Sequence, residues 1–425
     1  MWSLMTPLVI FFCINVPLAF AVGISSLIWL LNSETIPTAI AFHRMLVSLN
    51  SFPLLAIPFF MMAGQFMSTG GVTQRLVALA EVLVGHFRGG LAHINVMVSM
   101  FFAGITGSAV ADTSAVGTIL LPAMKEEGYD RDFSVAVTAV SSVIGVIIPP
   151  SVPMIIYGIT TEVSIGALLL AGVIPGIMLG LALMCVVYFY AKKRRYPKHK
   201  FLPFRQQVGV YRRGFLPMMS IVIIIGGIYG GFFTPTEAAV VAAIYTFFLS
   251  FLFYRELRLT DLPPIFRIIA ITGSVGLFLL ANASMFAWII AAEQLPQHIM
   301  DWVFSITQNK ILLLIIINIF LLFVGMVLDV ITATIILGPI LHPIAMNMGM
   351  DPVHFGTIVV LNLSIGLATP PVGVCLFVAC ALGETSISDV VPALIPFLLV
   401  CLVVLGLVTY VPELSTFIPG HVLAH

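Results

Sequence analysis

Two tracts of this 425-residue chain put proline pairs where apolar sequence would otherwise continue as helix. The first reads Ser141-Ser142-Val143-Ile144-Gly145-Val146-Ile147-Ile148-Pro149-Pro150-Ser151. The second reads Asn362-Leu363-Ser364-Ile365-Gly366-Leu367-Ala368-Thr369-Pro370-Pro371. A tandem proline removes two donors and disfavours the helical conformation just before it. The upstream carbonyls lose their partners, and in hydrocarbon they must line a cavity or find another partner. A partly dehydrated Na+ suits them, and the helix end before each break points its negative dipole at the gap. Two further tracts are rich in small residues. The first, Gly104–Ser114, carries Thr106 and Ser108, whose hydroxyls can face a cation. The second spans Gly325–Thr334. Each holds one acid, Asp112 or Asp329. An intramembrane carboxylate is a functional group by default, and either acid can also cap the helix that follows it.

The elements that must position these residues are helices in lipid. Hydrophobic residues make up 60% of the chain and charged residues 8%. That is too few charges to cover a soluble fold, so the composition specifies an all-α polytopic membrane protein. The formal net charge of zero gives no case for a nucleic-acid partner. The five cysteines form no CxxC and read as small core residues. Predicted spans cover 4–31, 49–67, 166–190, 215–232, 236–254, 268–291 and 389–411. The first is too long for a signal peptide and lacks a cleavage site. The stretches 93–121, 133–164, 311–343 and 353–383 are interrupted by Gly, Pro, Ser, Thr or Asp. Segment 191–213 holds nine of the 18 Lys and Arg residues and is therefore cytoplasmic. Propagating from it, the basic residues fall inside, with Arg44 and Lys310 as exceptions, if 93–121 and 311–343 are re-entrant hairpins. The same bookkeeping needs 133–164 and 353–383 to cross once each as broken helices. Segment 73–88 reads as an arm helix along the inner interface, with 295–308 its outer counterpart.

The two halves also match each other. Pro122, Gly128, Asp130, Gly145, Pro149, Pro150 and Pro175 align at a constant offset of 221 with Pro343, Gly349, Asp351, Gly366, Pro370, Pro371 and Pro396. The agreement falls on residues that fix backbone shape. With the charge bookkeeping, it predicts inverted repeats over 1–190 and 214–425, joined by the cytoplasmic linker 191–213. Inverted repeats with discontinuous helices are the signature of a secondary transporter. Among the remaining polar residues, Glu237 reads as a helix cap, His86 and His93 as surface groups, and Asn282 and Asn318 as interhelical contacts. No GxxxxGK[ST] loop is present, so ATP does not drive the protein directly, and no HExxH-type metal cluster occurs. An intramembrane hydrolase using Asp112 and Asp329, a stand-alone Na+- or H+-coupled carboxylate carrier and a passive channel are the competing functions. The hydrolase leaves the duplicated Gly-x-x-x-Pro-Pro unexplained.

Several tracts carry a family resemblance. They are Phe52-Pro53-Leu54-Leu55-Ala56-Ile57-Pro58-Phe59-Phe60, Gly107-Ser108-Ala109-Val110-Ala111-Asp112, Pro149-Pro150-Ser151, Phe233-Thr234-Pro235-Thr236-Glu237-Ala238 and Thr369-Pro370-Pro371-Val372-Gly373. Together they resemble the large membrane subunit of tripartite ATP-independent periplasmic (TRAP) transporters, within the ion-transporter superfamily. The resemblance runs through nearly the whole chain. It implies Na+-coupled uptake of a small organic acid (a C4-dicarboxylate, sialic acid or a related sugar or keto acid) across the bacterial inner membrane. A periplasmic binding protein would deliver the acid, and a small four-helix membrane subunit would brace the large one. That subunit should be a separate polypeptide, since the chain lacks the extra N-terminal helices of fused members. A mobile domain would slide as an elevator against a scaffold. One Na+ site would use Thr106, Ser108, Gly145, Ile148 and Pro150; a second would use Gly325, Asp329, Gly366, Thr369 and Pro371. The substrate would lie between the hairpin tips near Asp112, Ser114, Ser142 and Asn362. Where sialic-acid members have an arginine before the acid of the second arm, this chain has Ala292 before Glu293, which points away from sialic acid.

Overall fold

The computed structural model describes residues 2–33, 36–198, 204–298 and 309–422, less the side chains of 2, 105, 106 and 204–206. Among the described residues the chain is helical, apart from turns and an isolated bridge between Arg88 and Lys198. Among the described residues eight helical segments are long and apolar enough to cross a membrane: Phe52–Thr69, Ile165–Lys193, Gln207–Tyr229, Pro235–Phe253, Leu259–Ala292, Lys310–Val327, Val330–Asn347 and Ile387–Tyr410. Six of the seven predicted spans correspond to six of these. The predicted span 4–31 does not exist as one helix. It divides into Trp2–Cys13 and Leu18–Leu31, which pack on each other. Pro17 supplies no N–H, the residue before it is pushed out of helix, and Asn15 turns the chain at φ +61°. At 1.5 Å per residue these pieces reach only about 18 and 21 Å, short of the roughly 30 Å hydrocarbon core. A further helix, Ala39–Leu49, was not expected from the sequence.

Both small-residue tracts form helical hairpins, and both proline-pair tracts break a helix. In the first half Gly90–Thr106 turns at Gly107 into Ala109–Glu126. Arg131–Ser141 then tightens into the 3-10 turn Ser142–Val146 before Val152–Thr161 resumes. In the second half Lys310–Val327 turns into Val330–Asn347, and Pro352–Gly366 stops before Val374–Leu382. Residues at the 221 offset do the same backbone work. Gly128 (φ +80°) and Gly349 (φ +68°) adopt left-handed turns in which an added Cβ would meet nothing, so conformation and not space demands glycine there. Asp130 and Asp351 occupy the N-cap of the broken helices. Both proline pairs are joined by cis peptides.

The packing between the halves is reciprocal. Ala109–Glu126 lies against Val374–Leu382, and Val330–Asn347 lies against Val152–Thr161. Each half therefore places its second hairpin helix on the post-break helix of the other. The long helices Val173–Lys193 and Ile387–Tyr410 flank this assembly. The remaining spans pack mainly among themselves: 52–69 on 235–253, Phe204–Tyr229 on Pro235–Phe248, and Leu262–Ala292 on Leu18–Leu31 and Ala39–Leu49.

Some local expectations change. The linker expected over 191–213 is helical at both ends, in Val173–Lys193 and Phe204–Tyr229, and 199–203 lie outside the described residues. Of the segment expected as an arm helix over 73–88, the helical part is Val72–Val84, which follows left-handed Gly71 and ends at Gly85. Of its outer counterpart, 295–298 are helical and 299–308 lie outside the described residues. His93 is buried, contrary to a surface reading: its helix packs against Val72–Val84 and Val173–Lys193, and its Nδ1 is paired with the Gly89 carbonyl at 3.1 Å. Glu237 completes a capping box with Thr234. Asn318 joins helices through Asn362 and Thr409, whereas Asn282 bonds within its own helix to the Phe278 carbonyl.

Candidate functional site

Each hairpin tip meets the break of its own half. In the first half, a Cβ added at Gly107 would fall 2.7 Å from the Pro150 carbonyl oxygen, so the tip backbone lies directly on the proline pair. A Cβ on Gly145 would sit 3.6 Å from Ala109 Cα and 3.5 Å from Asp112 Cβ. In the second half the backbones touch. A Cβ on Gly366 would fall 2.3 Å from the Gly325 carbonyl carbon, and the Gly373 amide donates to the Met326 carbonyl at 3.3 Å. Some of the residues predicted to bind cations thus lie at these two tip–break contacts. Gly107 stands against Pro150, and Gly145 lies beside Ala109 and Asp112. Gly325 stands against Gly366, with Asp329 and Thr369 nearby in the chain. Ile148 packs under Gly176, Pro371 is exposed, and the Thr106 side chain lies outside the described residues.

The donors are arranged to leave oxygen lone pairs free. Asp329 is the N-cap of Val330–Asn347, its Oδ2 accepting from the Ile331 amide at 3.0 Å. Ser108 is the N-cap of Ala109–Glu126 at the equivalent position. Thr369 spends its hydroxyl proton on the Ile365 carbonyl at 2.8 Å, which leaves the oxygen able to face a cation. Parts of both breaks satisfy themselves: Ser151 Oγ donates to the Val146 carbonyl, and the Cys375 amide donates to the Leu367 carbonyl at 3.0 Å.

Asp112 is placed differently from Asp329. It lies four residues past the cap and is fully buried; Ser99 is its hydroxyl neighbour, but neither carboxylate oxygen has a partner within hydrogen-bond distance among the described residues. Asn362 Oδ1 is likewise buried without a partner, although its amide donates to the Asn318 carbonyl at 2.9 Å and Oδ1 at 2.7 Å. Ser142 is buried and accepts from Thr113 at 2.7 Å; Ser114 is half-buried and donates to the Val110 carbonyl. None of the four residues expected near the substrate is among the described residues that line the cleft in front of the tips.

Sequence reasoning passed over a buried polar seam behind Asp112. Asn95 donates to Thr138 at 2.7 Å, Ser141 donates to Asn95 Oδ1 at 3.0 Å, and Ser99 donates to Ser141 at 3.1 Å. A signal existed: Asn95 and Ser99 stand four apart, and Ser134, Thr138 and Ser141 follow at i, i+4 and i+7, one face of each helix.

A cleft opens in front of the tips. It is lined by Ser108 and Ala109 of the first tip, Asp329 and Val330 of the second, Val146 and Val152 at the first break, and Leu367 at the second. Its far wall comes from 52–69 and Leu262–Ala292, through residues such as Leu54, Met61, Gly273, Gly276 and Leu280. Among the described lining residues Asp329 is the one charged residue, and none is basic. Three helices, Ala109–Glu126, Val152–Thr161 and Val330–Asn347, begin on lining residues and so turn the positive ends of their dipoles toward it.

The sequence matches the family described as tripartite ATP-independent periplasmic transporter, DctM component, over residues 3–414. This chain belongs to that TRAP transporter family. It is 41% identical over 369 residues to the C4-dicarboxylate TRAP transporter large permease protein DctM of Pseudomonas aeruginosa, covering 87% of this chain and 86% of that one. It is 39% identical over 405 residues to the sialic acid TRAP transporter large permease protein SiaM of Vibrio cholerae, covering 95% of each. Its fold is similar to the Alcanivorax borkumensis YdaH transporter, with a TM-score of 0.63, 13% identity and 99% coverage of both chains. As a TRAP large permease the protein is a multi-pass membrane transporter and not an enzyme, which sets aside the aspartyl hydrolase. The two acids of that alternative also do not share the cleft: Asp329 lines it and Asp112 does not.

Proposed function

We propose that this TRAP permease moves a small organic acid through the cleft between the two hairpin tips, coupled to Na+. The observation that carries the reading is electrostatic. Three helix starts face a cleft whose described lining residues include one carboxylate and no basic side chain, while each tip rests on a helix break. Helix starts attract a carboxylate, but partial dipole charges alone leave an organic acid largely uncompensated in a low-dielectric space. Cations held at the tip–break contacts would supply the missing charge. Ser108, Gly145, Ile148 and Pro150, with Thr106, would hold one Na+, and Gly325, Asp329, Gly366, Thr369 and Pro371 the other. The orphaned oxygens of Asp112 and the free lone pairs of Asp329 and Thr369 fit this reading.

The reciprocal packing of hairpins and broken helices supports an elevator. That assembly would move as one body against the wall made by 52–69 and Leu262–Ala292. The halves 1–190 and 214–425 would be inverted repeats, with 191–213 at the cytoplasmic face of the inner membrane. A periplasmic binding protein would deliver the acid, and a small membrane subunit would brace the scaffold in the lipid. The relatives' names do not choose between a C4-dicarboxylate and sialic acid, since their identities differ by only two percentage points. Screening the cognate binding protein by thermal shift against organic acids identifies the substrate. Uptake of that acid into proteoliposomes should then need an inward Na+ gradient, the binding protein and the small subunit. Full uptake with K+ in place of Na+ overturns the coupling, and full uptake by the isolated subunit makes it a stand-alone carrier.

A further inference from the structure

The two walls of the cleft are unlike. The tip wall carries the polar groups Ser108 and Asp329, whereas the opposite wall is apolar apart from Thr272 and includes two glycines, Gly273 and Gly276, in the middle of Leu262–Ala292. Glycine inside a helix is unfavourable relative to alanine, so each instance needs a reason. Backbone conformation is not the reason, because neither residue has a positive φ. Close packing is not the reason either, because a Cβ at 273 or 276 would meet no atom within 4 Å. Elsewhere in the protein packing does explain the glycine: a Cβ at Gly23 would fall 2.1 Å from Asn282 Oδ1, and one at Gly180 would fall 2.4 Å from Met100 Sδ. Gly273 and Gly276 lie three residues apart, on one helix face, and that face borders the cleft.

We propose that Gly273 and Gly276 are clearance residues: their missing side chains set the width available to the transported organic anion, and side-chain volume at 276 limits the size of acid admitted. This inference rests on the reading of the cleft as the path of the acid. The tip wall then holds the charged end of the substrate, and the glycine wall lets the remainder pass. Selection by size at this wall acts on every acid that the tips accept.

The test uses the complete transporter in proteoliposomes, with two readouts. In Gly276→Cys, the introduced thiol is exposed to the anionic reagent 2-sulfonatoethyl methanethiosulfonate and adducts are read by mass spectrometry, with native Cys185 as the internal reference. Modification at least about tenfold faster than at Cys185 is expected, because the cleft admits an organic anion. In the second readout, uptake of radiolabelled succinate and of radiolabelled N-acetylneuraminate is measured for Gly276→Ala and Gly276→Leu. The Ala variant should keep most of the wild-type rate. The Leu variant should lose at least about tenfold, with an unchanged melting temperature and an unchanged yield of co-purified small subunit. Wild-type uptake by the Leu variant overturns the proposal. So does inactivity of the Ala variant, which would show backbone approach of a neighbour in place of clearance. Loss of the small subunit from the Leu variant would make the face a packing surface and also overturns it. If the wild type accumulates neither acid under an inward Na+ gradient, those probes do not support the transport reading, and the thiol arm alone decides: an unmodified thiol then overturns clearance.

Discussion

The two hairpin tips are built on one backbone plan and given different chemistry. Ser108 and Asp329 stand at the same place in the 221-residue register, and each caps the helix that follows. The second tip thereby carries a carboxylate at the cleft, while the first carries a hydroxyl. The acid of the first half sits four residues further on, at Asp112, buried and without a partner within hydrogen-bond distance among the described residues. Its register mate is Ala333. Thr113 donates to Ser142, whereas its mate Thr334 is buried with no partner, since Leu363 replaces the serine. The breaks differ as well. Residues 141–152 are buried throughout, but Pro371 and Val372 are exposed. Glycine and proline preserved the frame; the polar residues were free to diverge within it. If both breaks hold Na+, the two sites are unequal, one with its acid at the mouth and one with its acid behind.

Exchanging the caps is the strongest way to break that comparison. Asp329→Ala removes both the cap and the mouth carboxylate, and transport should fall by about 100-fold. Asp329→Ser installs the residue that the first half uses, so the cap survives and the charge does not. Uptake measured against Na+ concentration separates the two contributions. A serine variant with wild-type sodium dependence would assign Asp329 to capping alone.

The proline pairs come next. Pro150→Ala and Pro371→Ala each restore a donor at a break and should weaken Na+ binding by about tenfold, read as the sodium concentration that half-maximally stabilises the purified protein. The exposed second break should tolerate the change in fold better than the buried first. Equal sodium response in both variants and the wild type would remove the breaks from cation binding.

Asp112 gives a smaller and more particular effect. A buried carboxylate without a counter-ion costs several kcal/mol, so Asp112→Asn should raise the melting temperature in sodium-free buffer. The same variant should gain less than the wild type when NaCl replaces choline chloride. An identical sodium increment in both would show that the carboxylate does not feel the first site.

The sequence announced this frame because backbone-shaping residues act locally. Interrupted apolar runs gave both hairpins, and tandem prolines gave both breaks, since a proline breaks helix whatever surrounds it. Asp329 at the cleft was legible for the same reason, as a short-range helix start. What stayed hidden depended on packing. Pro17 alone, in a run that otherwise reads as apolar helix, did not reveal that 4–31 folds as two short helices. Asn95, Ser99, Thr138 and Ser141 look like scattered polar residues until two helices face each other. The glycines at 273 and 276 are indistinguishable in sequence from packing glycines; the empty space beside them, together with their place on the cleft wall, sets them apart.

The weakest expected effect concerns the N-caps of the broken helices, again one position used in two ways. Asp351 accepts from the amides of Val353 and His354, both at 2.9 Å, and so secures its own helix. Asp130 makes no such bond with its side chain. Its Oδ2 accepts from Arg194 at 2.9 Å and from the Tyr196 hydroxyl at 2.7 Å, and Arg194 also grips both oxygens of Asp132. The first-half cap has therefore been turned outward, tying the start of the broken helix to the chain that leaves Val173–Lys193. These groups are partly exposed, so solvent screens them, and Arg194→Gln should cost about 1 kcal/mol. Thermal unfolding at low and high salt measures it. The wild type should approach the variant as salt rises, whereas Asp351→Ala should lose a comparable amount at every salt concentration, because a neutral amide is the partner it abandons. A salt-independent loss in Arg194→Gln would mean that the arginine acts through packing on Tyr190, over whose ring it lies at 5.4 Å, and not through its charge.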